Sequence, residues 1–224
     1  MIKLTKIYFV RHCEAIGNVK RIFQGVTNTD ISEMGEKQLE FLKKRFENIK
    51  IDKIYTSPLL RAYKTAVAVK GDKDIAIERC DNLIELDGGI VEGKPFAQTF
   101  ANSPDLADAW ENHPEDFAPP NGETMRHAYE RIYNTLIDIA KQNRNKTIAC
   151  TSHGGVTRCI LCRVLFGNIS KLKETPWANN TAVALLNIDE KNNITAEYYN
   201  DTSHVPEEFL PKRNRISTFM KVNK

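Results

Sequence analysis

Long apolar runs are missing from the 224-residue chain. The stretch Ile7 to Val10 is closed off by Lys6 and Arg11, too short for the core of a secretion signal and far too short for a membrane span. A soluble, cytoplasmic protein with no membrane partner is expected. Cysteine is scarce and odd in number: Cys13, Cys80, Cys150, Cys159 and Cys162. A chain of this size buries a core without staples, so reduced thiols are expected rather than a disulfide framework. Cys159 and Cys162 form a C-x-x-C inside the apolar run CILCRVLF, where cysteines at i and i+3 on a helix act as small core hydrophobes. No second C-x-x-C or H-x-H completes a zinc ligand set. A basic surface patch is lacking too. The net charge is +3, but Lys212, Arg213, Arg215, Lys221 and Lys224 sit in an acid-free tail, 211–224, and without them the body stands at −2. No nucleic-acid partner is expected. Ile216, Phe219 and Met220, spaced i, i+3, i+4, predict that this basic tail lays an apolar face on the domain.

What is present has an α/β rhythm within one domain spanning 1–224. Runs rich in β-branched and aromatic residues occur at Ile7 to Val10, Ile51 to Thr56 and Thr147 to Thr151, each followed by helical periodicity. A helix starts near Ser32 with Leu39, Leu42, Phe46 and Ile49 on one face. Ser57-Pro58 reads as an N-cap and a first-turn proline, so a helix is expected to begin there at once. A long helix is predicted from Thr124 to about Lys141, and another from about Val156 to Phe166 with Gly167 as its C-cap. Ala182 to Ile188 and Thr195 to Tyr199 predict an antiparallel hairpin. Residues 88–121, punctuated by five prolines and holding a short helical candidate from Leu106 to Trp110, read as a cap over one end of the sheet.

In open parallel sheets, ligands bind beyond the carboxyl ends of the strands. Arg11-His12 leaves the first strand, Arg61 lies in the first turn after the second, and His153 leaves the third. If those strands are neighbours, two guanidiniums and two imidazoles meet at one edge. Two arginines can hold the equatorial oxygens of a phosphoryl group and stabilise its transition state, and helix N-termini near Ser57 and Gly155 favour the same anion. A neutral imidazole is a competent nucleophile toward phosphorus, and one histidine can thereby split phosphoester hydrolysis into two easier steps. The other is then a hydrogen-bonding, positively charged partner. A proton donor for the leaving alcohol is also needed. Glu85, after a strand expected around Ile75 to Ile77, is the best-placed carboxylate, with Asp87 and Glu123 as rivals that spacing alone does not separate. His113, His127 and His204 have no such company.

These residues, Arg11-His12-Cys13-Glu14 with Asn18, Gln24-Gly25, Ser57-Pro58-Leu59-Leu60-Arg61-Ala62 and Ser152-His153-Gly154-Gly155, resemble the histidine phosphatase superfamily, which is phosphoglycerate mutase-like. The likeness continues through Asp30-Ile31-Ser32, Gly122-Glu123 and Asn200 to His204, nearly the whole chain. The resemblance implies a three-layer α/β/α sandwich with a mainly parallel sheet and a small cap insertion. It implies a phosphohistidine at His12, phosphate contacts from Arg11, Arg61 and His153, flanking contacts from Asn18, Gln24, Gly25 and Gly154, and Glu85 as acid and base, without metal or organic cofactor. The partner it implies is a small phosphorylated metabolite.

Cys13 departs from the family, which usually has glycine there. A requirement for positive φ at that position would cost a cysteine on the order of 1–2 kcal/mol. A thiol beside the phosphate pocket, biased toward thiolate, and an inert thiol turned into the core are the two readings. The compact segment between Asp87 and Gly122 is similar to the bacterial phosphatase branch rather than to the longer inserts of glycolytic mutases. A phosphatase is expected, with a mutase-type phosphotransferase second and a noncatalytic phospho-ligand module third.

Overall fold

The computed structural model describes residues 4–210 and 220–221. Strands form where apolar residues run without alternation, the mark of a strand covered on both faces. β1 (Thr5–Arg11) and β4 (Thr147–Ser152) are of this kind, with Ile7, Phe9, Val10, Ile148, Ala149 and Cys150 all fully buried. They pair in parallel, Ile7 opposite Ile148 and Arg11 opposite Ser152. β2 (Lys53–Thr56) runs parallel beside β4, and β3 (Ile77–Arg79) parallel beside β2. Beyond β1 the sheet turns antiparallel through β5 (Val183–Ile188), β6 (Ile194–Asp201) and β7 (Met220–Lys221). The order is β3-β2-β4-β1-β5-β6-β7.

Alternate residues of each strand face opposite helical layers. On one face, α2 (Glu33–Phe46) and α3 (Leu60–Lys70) bring Leu42, Phe46, Ala66 and Val69 onto Val10, Ile54 and Ala149. On the other, α6 (Met125–Gln142) and α7 (Gly154–Phe166) bring Ile132, Leu136, Cys159 and Ile160 onto Ile7, Phe9 and Ile148. This is the three-layer sandwich. Ser32 caps α2 by accepting from the Gly35 amide, and Thr124 caps α6 by accepting from the His127 amide, each contributing roughly 1 kcal/mol. Gly167 ends α7 in the left-handed region expected of a C-cap. Cys159 and Cys162 are both fully buried on α7, packing as small hydrophobes.

Two boundaries differ from expectation. α3 begins at Leu60, not at Ser57-Pro58, and its N-cap Leu59 has no side-chain hydrogen bond; Ser57 is turned instead toward His153, at 2.7 Å. β3 lies two residues later than Ile75 to Ile77, its register fixed by pairing Ile54 to Ile77 and Thr56 to Arg79. The 88–121 segment carries α4 (Phe96–Ala101) and α5 (Pro104–Asn112), so it holds more helix than its prolines suggest. It is tied to a one-turn helix, α1 (Ile16–Val19), and the loop after it: the Phe23 amide donates to the Lys94 carbonyl and the Phe96 amide to the Arg21 carbonyl. The apolar face expected of Ile216, Phe219 and Met220 lies outside the described residues, except that Met220 falls in β7. Among the described residues no helix is long and apolar enough to cross a membrane.

Candidate active site

The strand order makes neighbours of the three segments that leave β1, β2 and β4, as the sequence reading required. Arg11 is the last residue of β1, His12 follows it, His153 joins β4 to α7, and Arg61 is in the first turn of α3. The imidazoles of His12 and His153 stand with their centroids 5.2 Å apart. A cavity of about 100 Å³ opens at this edge, and Arg11, His12, Asn18, Gln24, Glu85 and Gly154 all line it. Arg61, His153 and Gly25 are not among its lining residues.

His12 is 3% exposed. Its Nδ1 lies 2.6 Å from the Cys13 carbonyl oxygen, which can only accept, so Nδ1 carries the ring proton. Burial, and then the charges of Arg61 and Arg11, hold its pKa well below the usual histidine value. A neutral ring protonated on Nδ1 leaves a bare lone pair on Nε2. His153 is pushed down in the same way, by burial first and then Arg61. Burial and the two nearby guanidiniums thus disfavour the positive charge expected of it.

Arg61 is fully buried yet remains cationic, its pKa lowered to about 10 by burial. Its guanidinium donates to the carbonyls of Thr27 (2.8 Å), Gln24 (3.0 Å) and Gly25 (2.9 Å). The loop carrying these carbonyls is held from below by Glu92, which accepts from the amides of Val26 (3.0 Å), Thr27 (3.1 Å) and Gly88 (2.7 Å) and from the Thr27 hydroxyl (2.5 Å). Gly25 serves this clamp: a Cβ there would stand 2.0 Å from the Leu86 carbonyl and 2.1 Å from Glu92. Arg11 donates to the Ala178 carbonyl.

Four buried polar atoms around His12 have no protein partner: Arg11 Nε, Arg61 Nε, Gln24 Nε2 and His153 Nδ1. Unpaired buried polar atoms are costly. The three donors among them, Arg11 Nε, Arg61 Nε and Gln24 Nε2, suit the oxygens of an anion. Two guanidiniums against one carboxylate, Glu85, leave the local charge positive.

Glu85 lines the cavity at the N-terminus of α7. Its Oε2 accepts from the Gly155 amide (2.8 Å) and its Oε1 from the amides of Val156 (3.1 Å) and Leu86 (2.9 Å). A carboxylate oxygen has two lone-pair sites, so Oε2 keeps one open. Gly155 permits the approach, since a Cβ there would come within 2.7 Å of Oε1. The rivals are occupied elsewhere: Asp87 accepts from the Gly89 amide, and Glu123 is paired with Arg131 and His127 at 2.6 Å each. Neither lines the cavity.

Cys13 resolves between its two readings. Its side chain is fully buried, and burial pushes the thiol up to about 12. It faces Gly35 on α2, whose Cβ position lies 3.3 Å from Sγ, and it does not line the cavity. Its φ is not positive, so the anticipated strain is absent.

Several residues that shape the site carry little signal in the sequence. Asn180 donates to the His12 carbonyl at 3.1 Å and the Thr181 amide to the same oxygen at 3.3 Å, so the turn before β5 fixes the backbone of His12. Trp177, one of only two tryptophans, lines the cavity with Ile22, Phe23, Leu86, Phe96 and Trp110. Of these, Phe96 and Trp110 were singled out in the cap; the rarity of Trp177 was the one available signal for it. Phe117 is fully buried beneath them.

Comparison with known proteins places the chain in a family. The profile of the histidine phosphatase superfamily (branch 1) matches residues 7–202. Phosphoserine phosphatase 1 of Hydrogenobacter thermophilus is 27% identical, covering 95% of this chain and 100% of its own length. Phosphoglycerate mutase-like protein 4 of Arabidopsis thaliana is 26% identical over 92% of this chain and 89% of its own. Among solved structures, YhfR of Bacillus stearothermophilus superposes with a TM-score of 0.86 at 27% identity, over 90% of this chain and all of that one.

Proposed function

The chain belongs to the histidine phosphatase superfamily, and on that premise we propose that it is a phosphatase hydrolysing a small phosphomonoester through a phosphohistidine at His12. The observation that carries this reading is the bare Nε2 of a neutral His12 beside three unpartnered buried donors, Arg11 Nε, Arg61 Nε and Gln24 Nε2.

In the first step the Nε2 lone pair attacks phosphorus as the bond from phosphorus to the alcohol oxygen breaks, and a proton on Glu85 Oε2 passes to the leaving oxygen. Arg11, Arg61, Gln24 and His153 take the phosphoryl oxygens, with Asn18 and the amide end of α7 at Gly154 flanking them. In the second step water gives a proton to Glu85, its oxygen attacks phosphorus, and the phosphorus–nitrogen bond breaks. Inorganic phosphate leaves and His12 is again neutral. None of these steps calls on a metal or an organic cofactor, and a cytoplasmic setting belongs to the same reading, as does a single domain, 1–224, with 88–121 as its cap.

A mutase differs only in giving the phosphoryl group to a second hydroxyl, and mutase-like proteins are among the relatives. The test is a panel of phosphomonoesters incubated with enzyme and EDTA, following both inorganic phosphate and isomerised ester. Release of phosphate without isomer is expected. Isomer as the main product would make the chain a mutase, and loss of turnover in EDTA would overturn the metal-free mechanism.

A further inference from the structure

Building on the phosphatase reading, we propose that the substrate is the phosphomonoester of an alcohol bearing an aromatic ring close to the ester oxygen, with the ring seated against Phe96, Trp110 and Trp177. The two sides of the cavity differ in kind. Its phosphate side is Arg11, His12, Gln24 and Glu85; the opposite side is Ile22, Phe23, Phe96, Trp110 and Trp177. An open groove of about 1180 Å³ adjoins the cavity, and Arg11, Asn18, Ile22, Phe96, Trp110 and Trp177 line both. A leaving alcohol passing between them meets three aromatic rings beside Arg11 and Asn18.

The rings there are held as a surface. Trp110 lies 5.6 Å from Trp177 and 6.0 Å from Phe96, and is backed edge-on by buried Phe117 at 4.9 Å. Trp177 remains 38% exposed. Its orientation is set by Arg158, whose guanidinium lies 4.8 Å over the ring while donating to the carbonyls of Thr175 and Lys173. A buried cation spent on presenting a half-exposed indole at a catalytic mouth marks that indole as a binding surface, because offset or edge contact between rings adds to simple burial.

The groove also argues against a small zwitterionic alcohol. Lys20, Arg21, Arg158 and Lys173 outnumber Glu111 and Glu174 among its charged residues beyond Arg11. A substrate ammonium would meet net repulsion there, and it would find apolar rings at the threshold. A neutral or anionic aromatic alcohol meets neither cost.

The experiment compares kcat/KM for benzyl phosphate, ethyl phosphate and O-phosphoserine, all esters of primary alcohols, so leaving-group activation does not favour the ring. Benzyl phosphate is expected to exceed both others by about tenfold or more. Trp177→Ala should shrink the benzyl-to-ethyl ratio by about fivefold, and Trp177→Phe should preserve it. If O-phosphoserine or ethyl phosphate matches benzyl phosphate in wild type, the inference is overturned while the phosphatase reading stands. A ratio untouched by Trp177→Ala overturns the proposed seat. No phosphate from any of the three esters overturns both the inference and the phosphatase reading.

Discussion

The two sides of the active-site cavity are built by opposite means. The phosphate side comes from residues at the ends of regular elements: Arg11 closes β1, Arg61 opens α3, and Glu85 binds the first amides of α7. Each is fixed by backbone hydrogen bonds, and the side as a whole is left with donors unpaired. The aromatic side is assembled from α4, α5, the loop after α1 and the turn before β5, and its members hold one another ring against ring. The first side is preorganised for a charge whose geometry does not vary between substrates. The second offers area without directional bonds, which suits the part of a substrate that does vary. Chemistry should accordingly be brittle on one side and graded on the other.

The sharpest break is His12→Ala. Loss of the nucleophile should lower kcat by about 10⁴-fold or more and abolish the acid-labile, base-stable phosphate carried by quenched wild-type enzyme. A variant that still labels would remove His12 from the nucleophile's role. Next comes Glu85→Gln, expected to slow an alkyl phosphate by about 10²–10⁴-fold and an aryl phosphate with a good leaving group far less. Equal losses on both would take proton donation away from Glu85.

Glu92 braces the phosphate side from within, since it ties the loop holding Arg61 to the turn that follows Glu85. Glu92→Gln should weaken competitive inhibition by inorganic phosphate by about tenfold, through loss of charged hydrogen bonds, with a smaller fall in kcat. A change in kcat alone would mean that Glu92 does not act through Arg61.

The smallest effect is on stability. Burial and nearby guanidiniums hold His12 and His153 well below the ordinary histidine range when folded, and half-buried His204, beside Arg45, is pushed down to about 3. The unfolded chain binds these protons more readily, so their contribution is present above a pH of about 6.5 and is lost as pH falls below it. Thermal midpoints should decline from pH 6.5 to 5, and His12→Asn should flatten part of that decline. An unchanged midpoint over this range would contradict the burial described for the pair.

How far each side could be read from sequence follows the same division. Arg11, His12, Arg61, Glu85 and His153 were legible because charged and nucleophilic residues directly after apolar strands have few structural reasons to be there, and the parallel order brings strand ends together. The three layers were legible because β1, β2 and β4 are apolar on both faces while α2 and α6 have one apolar side. Ser57 was misread because a serine before proline is an ordinary helix start; only the tertiary position of His153 gives its hydroxyl another use. Asn180, Thr181 and Ala178 act through or upon backbone atoms, and backbone roles leave little trace in residue type. Glu92 stands in no motif, and nothing in its neighbours along the chain singles it out from the other carboxylates. The aromatic threshold unites residues 22–23, 96, 110 and 177, and no local pattern announces such a meeting.

The placement of β1 has a consequence for the life of the chain before it is an enzyme. The strand that delivers Arg11 and His12 is made first, yet it lies between β4 and β5, whose residues are synthesised some 140 and 180 positions later. Contacts so distant along the chain form late. A nascent polypeptide whose β5 is still inside the ribosome thus carries its nucleophile without the Asn180 turn that fixes it. Phosphoester cleavage should switch on only after the residues through β5 have left the exit tunnel, and no fragment ending before β5 should hydrolyse anything.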